Sequence, residues 1–243
     1  MDVRVRGDVN PGPFLSARDI FETEFDLERP VQVCIRDDPD ERTWAAHYED
    51  HHVLNVSRRI ASSAMARELS LHEFAHMYRY EEGHASHHQS TKEALYLALT
   101  GPGREDELTY HGLQIANHMK DIYADDLTLS VGPSEKLVSF LESSLATAIG
   151  RGGPDGPAAG ITAINAAFAL ALCERHGLLE ENHRLYDLAA VAGEDAPYVP
   201  LDQFKSRFRS LASDPTTGEY RRELVGSIRS YARFVRQSDG LQQ

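Results

Sequence analysis

The chain has 243 residues, a length that suits one substantial core or one domain with an appendage. Its 38 acidic side chains against 25 basic ones give a formal net charge of −13, and 41% of the residues are hydrophobic. This composition predicts a folded chain rather than a disordered one. Because the negative charge repels phosphates and anionic lipid surfaces, it also predicts no nucleic-acid partner and no membrane partner.

The first half of the chain shows the pattern of an α+β fold. A strand is predicted at residues 3–6, and a helix is predicted from an N-cap at Ser16 to Phe25, after the helix-breaking Pro11 and Pro13. Three runs rich in β-branched and aromatic residues then alternate with turn-forming clusters, which predicts three strands paired as antiparallel hairpins. These strands are expected at 31–36, 43–49 and 52–57.

From residue 58 onward the apolar residues recur at the spacing of an α-helix. The first long helix is predicted from here to Tyr80, with a break near Ser70 and an end at Gly83. A Gly- and Pro-rich stretch at 151–160 predicts a mobile loop. Further helices are predicted at 91–99, 107–129, 134–149, 161–176, 180–191, 201–212 and 219–236.

Two features of the sequence bear on where the protein works. Residues 1–10 lack the apolar stretch of a secretory signal, and the most apolar later segment, residues 161–173, is too short to span a bilayer and is interrupted by Asn165. Cys34 and Cys173 lie in apolar runs, where a small buried side chain is the usual role. The chain is therefore expected to be cytoplasmic and to have no disulfide framework.

Lysine is scarce, since it supplies only four of the 25 basic residues. Scarce lysine beside abundant acid resembles the proteins of salt-loving archaea, in which concentrated salt screens the self-repulsion of a negative chain. An ordinary acidic protein from a GC-rich genome is the alternative explanation.

The segment 71–80 contains the pattern H-E-x-x-H, formed by His72, Glu73 and His76. Histidines four residues apart lie on one face of a helix, so both imidazoles can reach one zinc ion, and the glutamate beside the first can act on a water molecule held there. Uncharged neighbours favour this interpretation, because a helix that carries metal ligands packs in a core. The alternative is two histidines on a half-buried helix without a metal.

This segment resembles the zincin superfamily of zinc metallopeptidases. In that family a helix with H-E-x-x-H packs against a small sheet whose edge strand holds the peptide substrate, in agreement with the elements predicted over 31–80. The metzincin branch has a glycine and a histidine where this chain has Arg79 and Glu82, so that branch is excluded. The whole chain also resembles a haloarchaeal family of H-E-x-x-H proteins.

The resemblance implies a third zinc ligand. Residues 121–125, Asp-Ile-Tyr-Ala-Asp, resemble the E-x-x-A-D signature of the zincin group that includes prenyl-protein and heat-shock membrane endopeptidases. In that group the first acid binds zinc and the second stands behind a ligand histidine, which assigns these roles to Asp121 and Asp125. The spacing of four places both on one helix face. Glu93 is the alternative ligand, because thermolysin-like zincins carry their glutamate on the next helix at a similar distance.

A zinc ion held by two histidines and one acid leaves a fourth position for water, which is the arrangement of catalytic zinc sites. Zinc lowers the pKa of that water, and Glu73 is expected to take its proton and to pass it to the leaving amine of a peptide or protein substrate. The donor that stabilises the oxyanion is left open among Tyr110, His111, His118 and Tyr123.

Other histidines and acids have less specific explanations. The tract GHASHH at 83–88 is expected to be a histidine-rich polar loop rather than a second metal site. His47, His51 and His52 are expected at the surface. Taken alone, the acids at 121–126 also fit the solvated face of an acidic protein.

The sequence therefore predicts a single α+β, zincin-like domain over 1–243, with the sheet and the metal-site helices in 1–150 and a helical part in 161–243. The predicted function is zinc-dependent peptide hydrolysis, with the ligands and the general base assigned above. The alternative is a catalytically inactive zincin-fold protein with a structural metal or a protein-binding role.

Overall fold

The structure is a computed structural model that describes residues 1–39, 41–99, 105–152 and 158–241. Within these residues the fold is α+β, with a sheet of four strands and eleven helices, which confirms the predicted class. The strands are β1 (Val3–Arg6), β2 (Val31–Arg36), β3 (Trp44–His47) and β4 (His52–Ser57). The helices are α1 (Gly12–Phe21), α2 (Arg58–Ala61), α3 (Ala66–Glu81), α4 (Ala85–His88), α5 (Thr91–Ala98), α6 (Glu105–Val131), α7 (Glu135–Gly152), α8 (Ala159–Arg175), α9 (Arg184–Asp195), α10 (Leu201–Arg209) and α11 (Thr217–Leu241).

The chain divides into two compact units. Unit 1 comprises Met1–His87 and Tyr123–Lys136, and unit 2 comprises His88–Ile122 and Leu137–Gln243. The organisation as one zincin-like domain stays a prediction. The predicted loop at 151–160 falls largely on residues 153–157, which lie outside the described residues.

The sheet belongs to unit 1 and has the strand order β1-β2-β4-β3. β1 pairs with β2 and β2 pairs with β4 in parallel, whereas β3 and β4 are antiparallel. The predicted antiparallel hairpins are therefore wrong except for β3 and β4. The physical reason lies in the connections between the strands. Helix α1 returns the chain before β2, and strand β3 returns it before β4, so β2 runs parallel to β1 and β4 runs parallel to β2.

Helix α1 begins at Gly12, before the predicted N-cap at Ser16. Pro11 is the N-cap residue and Pro13 lies in the first turn, where a missing backbone N–H costs no helical hydrogen bond. The side chain of Asn10 accepts a hydrogen bond from the backbone N–H of Gly12 at 2.9 Å. The two prolines therefore start this helix and do not precede it.

The predicted long helix is divided into α2 and α3, but the break falls before α3 and not near Ser70. The Ser63 hydroxyl donates to the carbonyl of Ile60 and accepts from the backbone N–H of Met65. The Ser63 side chain thus takes the place of helical partners for the carbonyl of Ile60 and the N–H of Met65, and α2 ends here. The Ser70 hydroxyl instead donates to the carbonyl of Ala66, one turn earlier, and α3 continues through it.

The core of unit 1 lies between the sheet and helices α1 and α3. Its fully buried side chains include Phe14, Phe21, Val31, Val33, Leu54 and Phe74. The ring of Phe74 on α3 packs edge-on against that of Phe21 on α1, with centroids 6.3 Å apart. Because Phe74 and its buried neighbours on α3 face this core, His72 and His76 lie at its edge and are half-buried.

Unit 2 is built around α8, which is buried on nearly all sides. Its alanine-rich sequence is apolar all round, as is typical of a helix enclosed by others. Helices α9 and α10 pack against α8, and α5 packs against α11. Among the described residues, none of the helices combines the length and the apolar character that crossing a membrane requires.

Candidate metal centre

Helix α3 brings the two histidines of the H-E-x-x-H pattern together. The Nε2 atoms of His72 and His76 lie 3.0 Å apart. The two rings are almost perpendicular, at 83°, with centroids 4.6 Å apart. The nitrogens that a zinc ion would use therefore converge on one point at the edge of the core, as the spacing of four predicts.

Asp125 on α6 lies behind His72. Its Oδ1 atom is 2.7 Å from Nδ1 of His72, and the residue is only 3% exposed. A carboxylate accepts hydrogen bonds, so Nδ1 of His72 is the donor here, and in a neutral imidazole the lone pair then lies on Nε2. This segment of α6 is also held by α3, because Nε of Arg79 donates to the carbonyl of Tyr123 at 2.9 Å.

Asp121 precedes Asp125 by one turn on the continuous helix α6, and both residues lie on the same face of that helix. Asp121 falls in unit 2, whereas His72, His76 and Asp125 belong to unit 1. Two imidazoles and a carboxylate form a donor set that zinc prefers. Metal binding at these residues stays a prediction.

Glu93, the alternative ligand, has partners of its own in unit 2. Its carboxylate accepts a hydrogen bond from Gln89 at 3.2 Å and lies 3.6 Å from the guanidinium group of Arg221. Its backbone N–H donates to the hydroxyl of Ser90, the N-cap of α5. These contacts explain Glu93 as part of a helix start and an ion pair, and they favour Asp121 as the third ligand.

The tract at 83–88 is not the polar loop that the sequence predicted. His84 and Ser86 are buried, and the last four residues of the tract form α4. Nε2 of His87 lies 2.7 Å from Nδ1 of His76, eleven residues earlier. No local pattern predicts this contact, and its only signal in the sequence is a dense group of histidines shortly after the H-E-x-x-H pattern.

Glu73 lies next to His72 on α3 and is 8% exposed. Glutamate is rarely buried to this degree unless it has a specific role or partner. Its position beside the first histidine is the one that a general base takes in an H-E-x-x-H helix. The burial therefore favours a functional role for Glu73 over that of a solvated surface acid.

The four candidates for an oxyanion donor fall in different places. The side chains of Tyr110, His111 and His118 each have a hydrogen-bond partner within unit 2. Tyr123 belongs to the part of α6 in unit 1, where its buried ring packs against His84 with centroids 4.6 Å apart. Of the four, Tyr123 is the candidate that shares unit 1 with the paired histidines.

The edge strand β3 is fixed beside α3. The ring of His47 on β3 stacks on that of Tyr80, with centroids 4.1 Å apart and an angle of 9°. Tyr80 follows His76 by one turn on α3. Within the described residues no strand lies on the outer side of β3. An extended peptide can add to such an edge through backbone hydrogen bonds.

His52 is fully buried, so its expected surface position is wrong, while His47 and His51 are partly exposed. Nε2 of His52 lies 2.9 Å from the carboxylate of Glu81, and its Nδ1 lies 3.0 Å from Nδ1 of His47. Burial lowers the pKa of His52 below its ordinary value of 6.5, although the hydrogen bond with Glu81 opposes the shift. The fold therefore favours the neutral form of the His52 imidazole.

Comparison with known proteins yields one family. The model of the family of unknown function DUF5781 matches residues 1–233. No curated protein and no solved structure matches the chain.

Proposed function

We propose that this chain, which belongs to the DUF5781 family, is a zinc-dependent peptidase of zincin type. His72, His76 and Asp121 serve as zinc ligands, and Glu73 serves as the general base. The observation that carries the proposal is the convergence of the Nε2 atoms of His72 and His76, 3.0 Å apart, with the carboxylate of Asp125 behind His72.

The donor set fits zinc. Because Asp125 accepts the Nδ1 proton of His72, the Nε2 lone pair of that ring points at the second imidazole. A lone pair facing another ring nitrogen at 3.0 Å is favourable only if a proton or a metal ion lies between them. Two nitrogens and one carboxylate oxygen are also too few ligands to close a structural zinc site, so one position is left for water or substrate.

Zinc, when bound, supplies a Lewis acid beside the scissile carbonyl and acidifies water. The carboxylate of Glu73 accepts a proton from the attacking water and later returns it to the nitrogen of the leaving amine. Strand β3 holds the substrate in an extended conformation through its outer backbone groups. Stacking of His47 on Tyr80 keeps that strand within reach of the histidines on α3.

The first test measures metal content by elemental mass spectrometry on protein purified without added metal. We expect near-stoichiometric zinc in the wild type and its loss in His76→Ala. Absence of zinc from the wild type, even after reconstitution, would overturn the proposal.

The second test separates metal binding from catalysis. We expect Glu73→Gln to retain zinc but to lose cleavage of a quenched-fluorescence peptide library, because the amide cannot accept the proton of water. The exposed Glu24→Gln is the matched control and should keep both. A zinc-loaded wild type that cleaves no peptide would retain the metal centre and support the catalytically inactive alternative.

A further inference from the structure

We infer that His84, Ser86 and His87 form a hydrogen-bond chain that fixes the tautomer of His76 and so presents its Nε2 lone pair to the metal. The inference rests on the proposed zinc site and makes these three residues positioning residues. The chain of contacts runs from the backbone N–H of Ser86 to the ring of His76, and the donor in each bond follows from the one before.

The donor of the first hydrogen bond is unambiguous, because it is a backbone N–H. The backbone N–H of Ser86 can only donate, and it donates to Nδ1 of His84 at 3.2 Å. Nδ1 of His84 is therefore an acceptor and carries no proton. The hydroxyl oxygen of Ser86 lies 2.7 Å from the same nitrogen, so the hydroxyl must also donate to it.

The second step uses the single proton of the hydroxyl. The Ser86 oxygen also lies 2.8 Å from Nδ1 of His87. Since its only proton is directed to His84, this oxygen accepts, and Nδ1 of His87 is the donor. A neutral His87 with its proton on Nδ1 has its lone pair on Nε2.

The last hydrogen bond joins His87 to His76, the proposed zinc ligand. Nε2 of His87 lies 2.7 Å from Nδ1 of His76. Because Nε2 of His87 accepts, Nδ1 of His76 carries the proton, and the lone pair of His76 lies on Nε2, which faces His72. His72 and His76 are thus held in the same tautomer. The carboxylate of Asp125 holds His72, and the uncharged hydrogen-bond chain of His84, Ser86 and His87 holds His76.

Packing makes the hydrogen-bond chain rigid. Ser86 is fully buried and His84 nearly so, and the ring of His84 lies against the ring of Tyr123. The backbone N–H of His87 donates to the carbonyl of His84 at 3.0 Å, which closes the turn that carries all three side chains. An uncharged acceptor also orients His76 without adding another carboxylate to a site that already contains Glu73, Asp121 and Asp125.

The test compares zinc dissociation constants, measured by competition with a chelator, among variants of the full chain. We expect His87→Ala to weaken zinc binding about 10- to 100-fold, the range typical of groups that orient a metal ligand. His87→Gln should restore most of the affinity, because its amide oxygen can accept from Nδ1 of His76. His88→Ala is the control, since His88 is the exposed neighbour on α4.

A second measurement needs no variants. Long-range ¹H–¹⁵N correlation spectra of the zinc-loaded wild type at pH 8 report which nitrogen of His87 is protonated, and we expect Nδ1. Protonation of Nε2, or a zinc affinity of His87→Ala equal to that of His88→Ala, would overturn the inference. Failure of the wild type to bind zinc would instead overturn the proposed function and, with it, the inference that rests on that function.

Discussion

Nδ1 of His72 and Oδ1 of Asp125 lie 2.7 Å apart, although 53 residues separate them in the sequence. The contact joins α3 to the C-terminal half of α6 at a buried position. A buried carboxylate is costly unless it accepts hydrogen bonds, so the imidazole and the carboxylate each satisfy the other. The same contact leaves Nε2 of His72 as the metal-facing nitrogen.

Asp125→Asn should therefore weaken zinc binding about 10- to 100-fold. The amide keeps the shape of the carboxylate but loses the charge that strengthens the bond to Nδ1 of His72. Chelator competition measures the change. Asp126→Asn alters the next acid on α6 and is the matched control, and an equal loss of affinity in both variants would contradict the assigned role of Asp125.

The third ligand can be identified by comparing two acids. Asp121→Asn should lose zinc on desalting, because two histidines alone hold the ion weakly. Glu93→Gln should retain it, since the carboxylate of Glu93 contacts Gln89 and Arg221. Metal content after desalting measures both variants. Retention in Asp121→Asn together with loss in Glu93→Gln would reverse the assignment.

The buried His52 predicts a loss of stability in acid. Its pKa is lowered in the fold, mainly by burial, with Arg29 and His51 adding to the shift and Glu81 opposing it. The unfolded chain therefore binds more protons, and the free energy of unfolding of the metal-free protein should be highest above pH 6.5 and should fall as the pH drops below that value.

His52→Gln removes the titrating group, so urea denaturation at several pH values should show a smaller decrease on acidification than in the wild type. His51→Gln controls for the loss of a histidine from the same turn. An unchanged decrease in His52→Gln would show that other groups account for the acid sensitivity.

Phe74→Ala tests the core that supports α3. The ring is fully buried and packs against Phe21, so its removal should lower the free energy of unfolding by about 3–5 kcal/mol. Tyr96→Ala removes a ring that is 80% exposed and should change stability by no more than about 0.5 kcal/mol. Similar urea midpoints for the two variants would contradict this description of the core.

Several features could be predicted from short stretches of sequence. The period of apolar residues located the helices within a few residues, because helical hydrogen bonds join residues four apart. The spacing of His72 and His76 placed both on one face of α3 for the same reason. The resemblance of residues 121–125 to a zincin signature implied that Asp125 lies behind one of the two histidines, and the structure places it beside His72.

The sequence by itself determined the α+β class, most of the helices and the convergence of His72 and His76, since each depends on residues close together in the chain. The tertiary structure decided the parallel pairing of β2 with β4, the burial of His52 and the contact of His87 with His76. These depend on which distant segments pack together, and that choice is made by the burial of apolar surface over the whole of a unit, which no local pattern encodes.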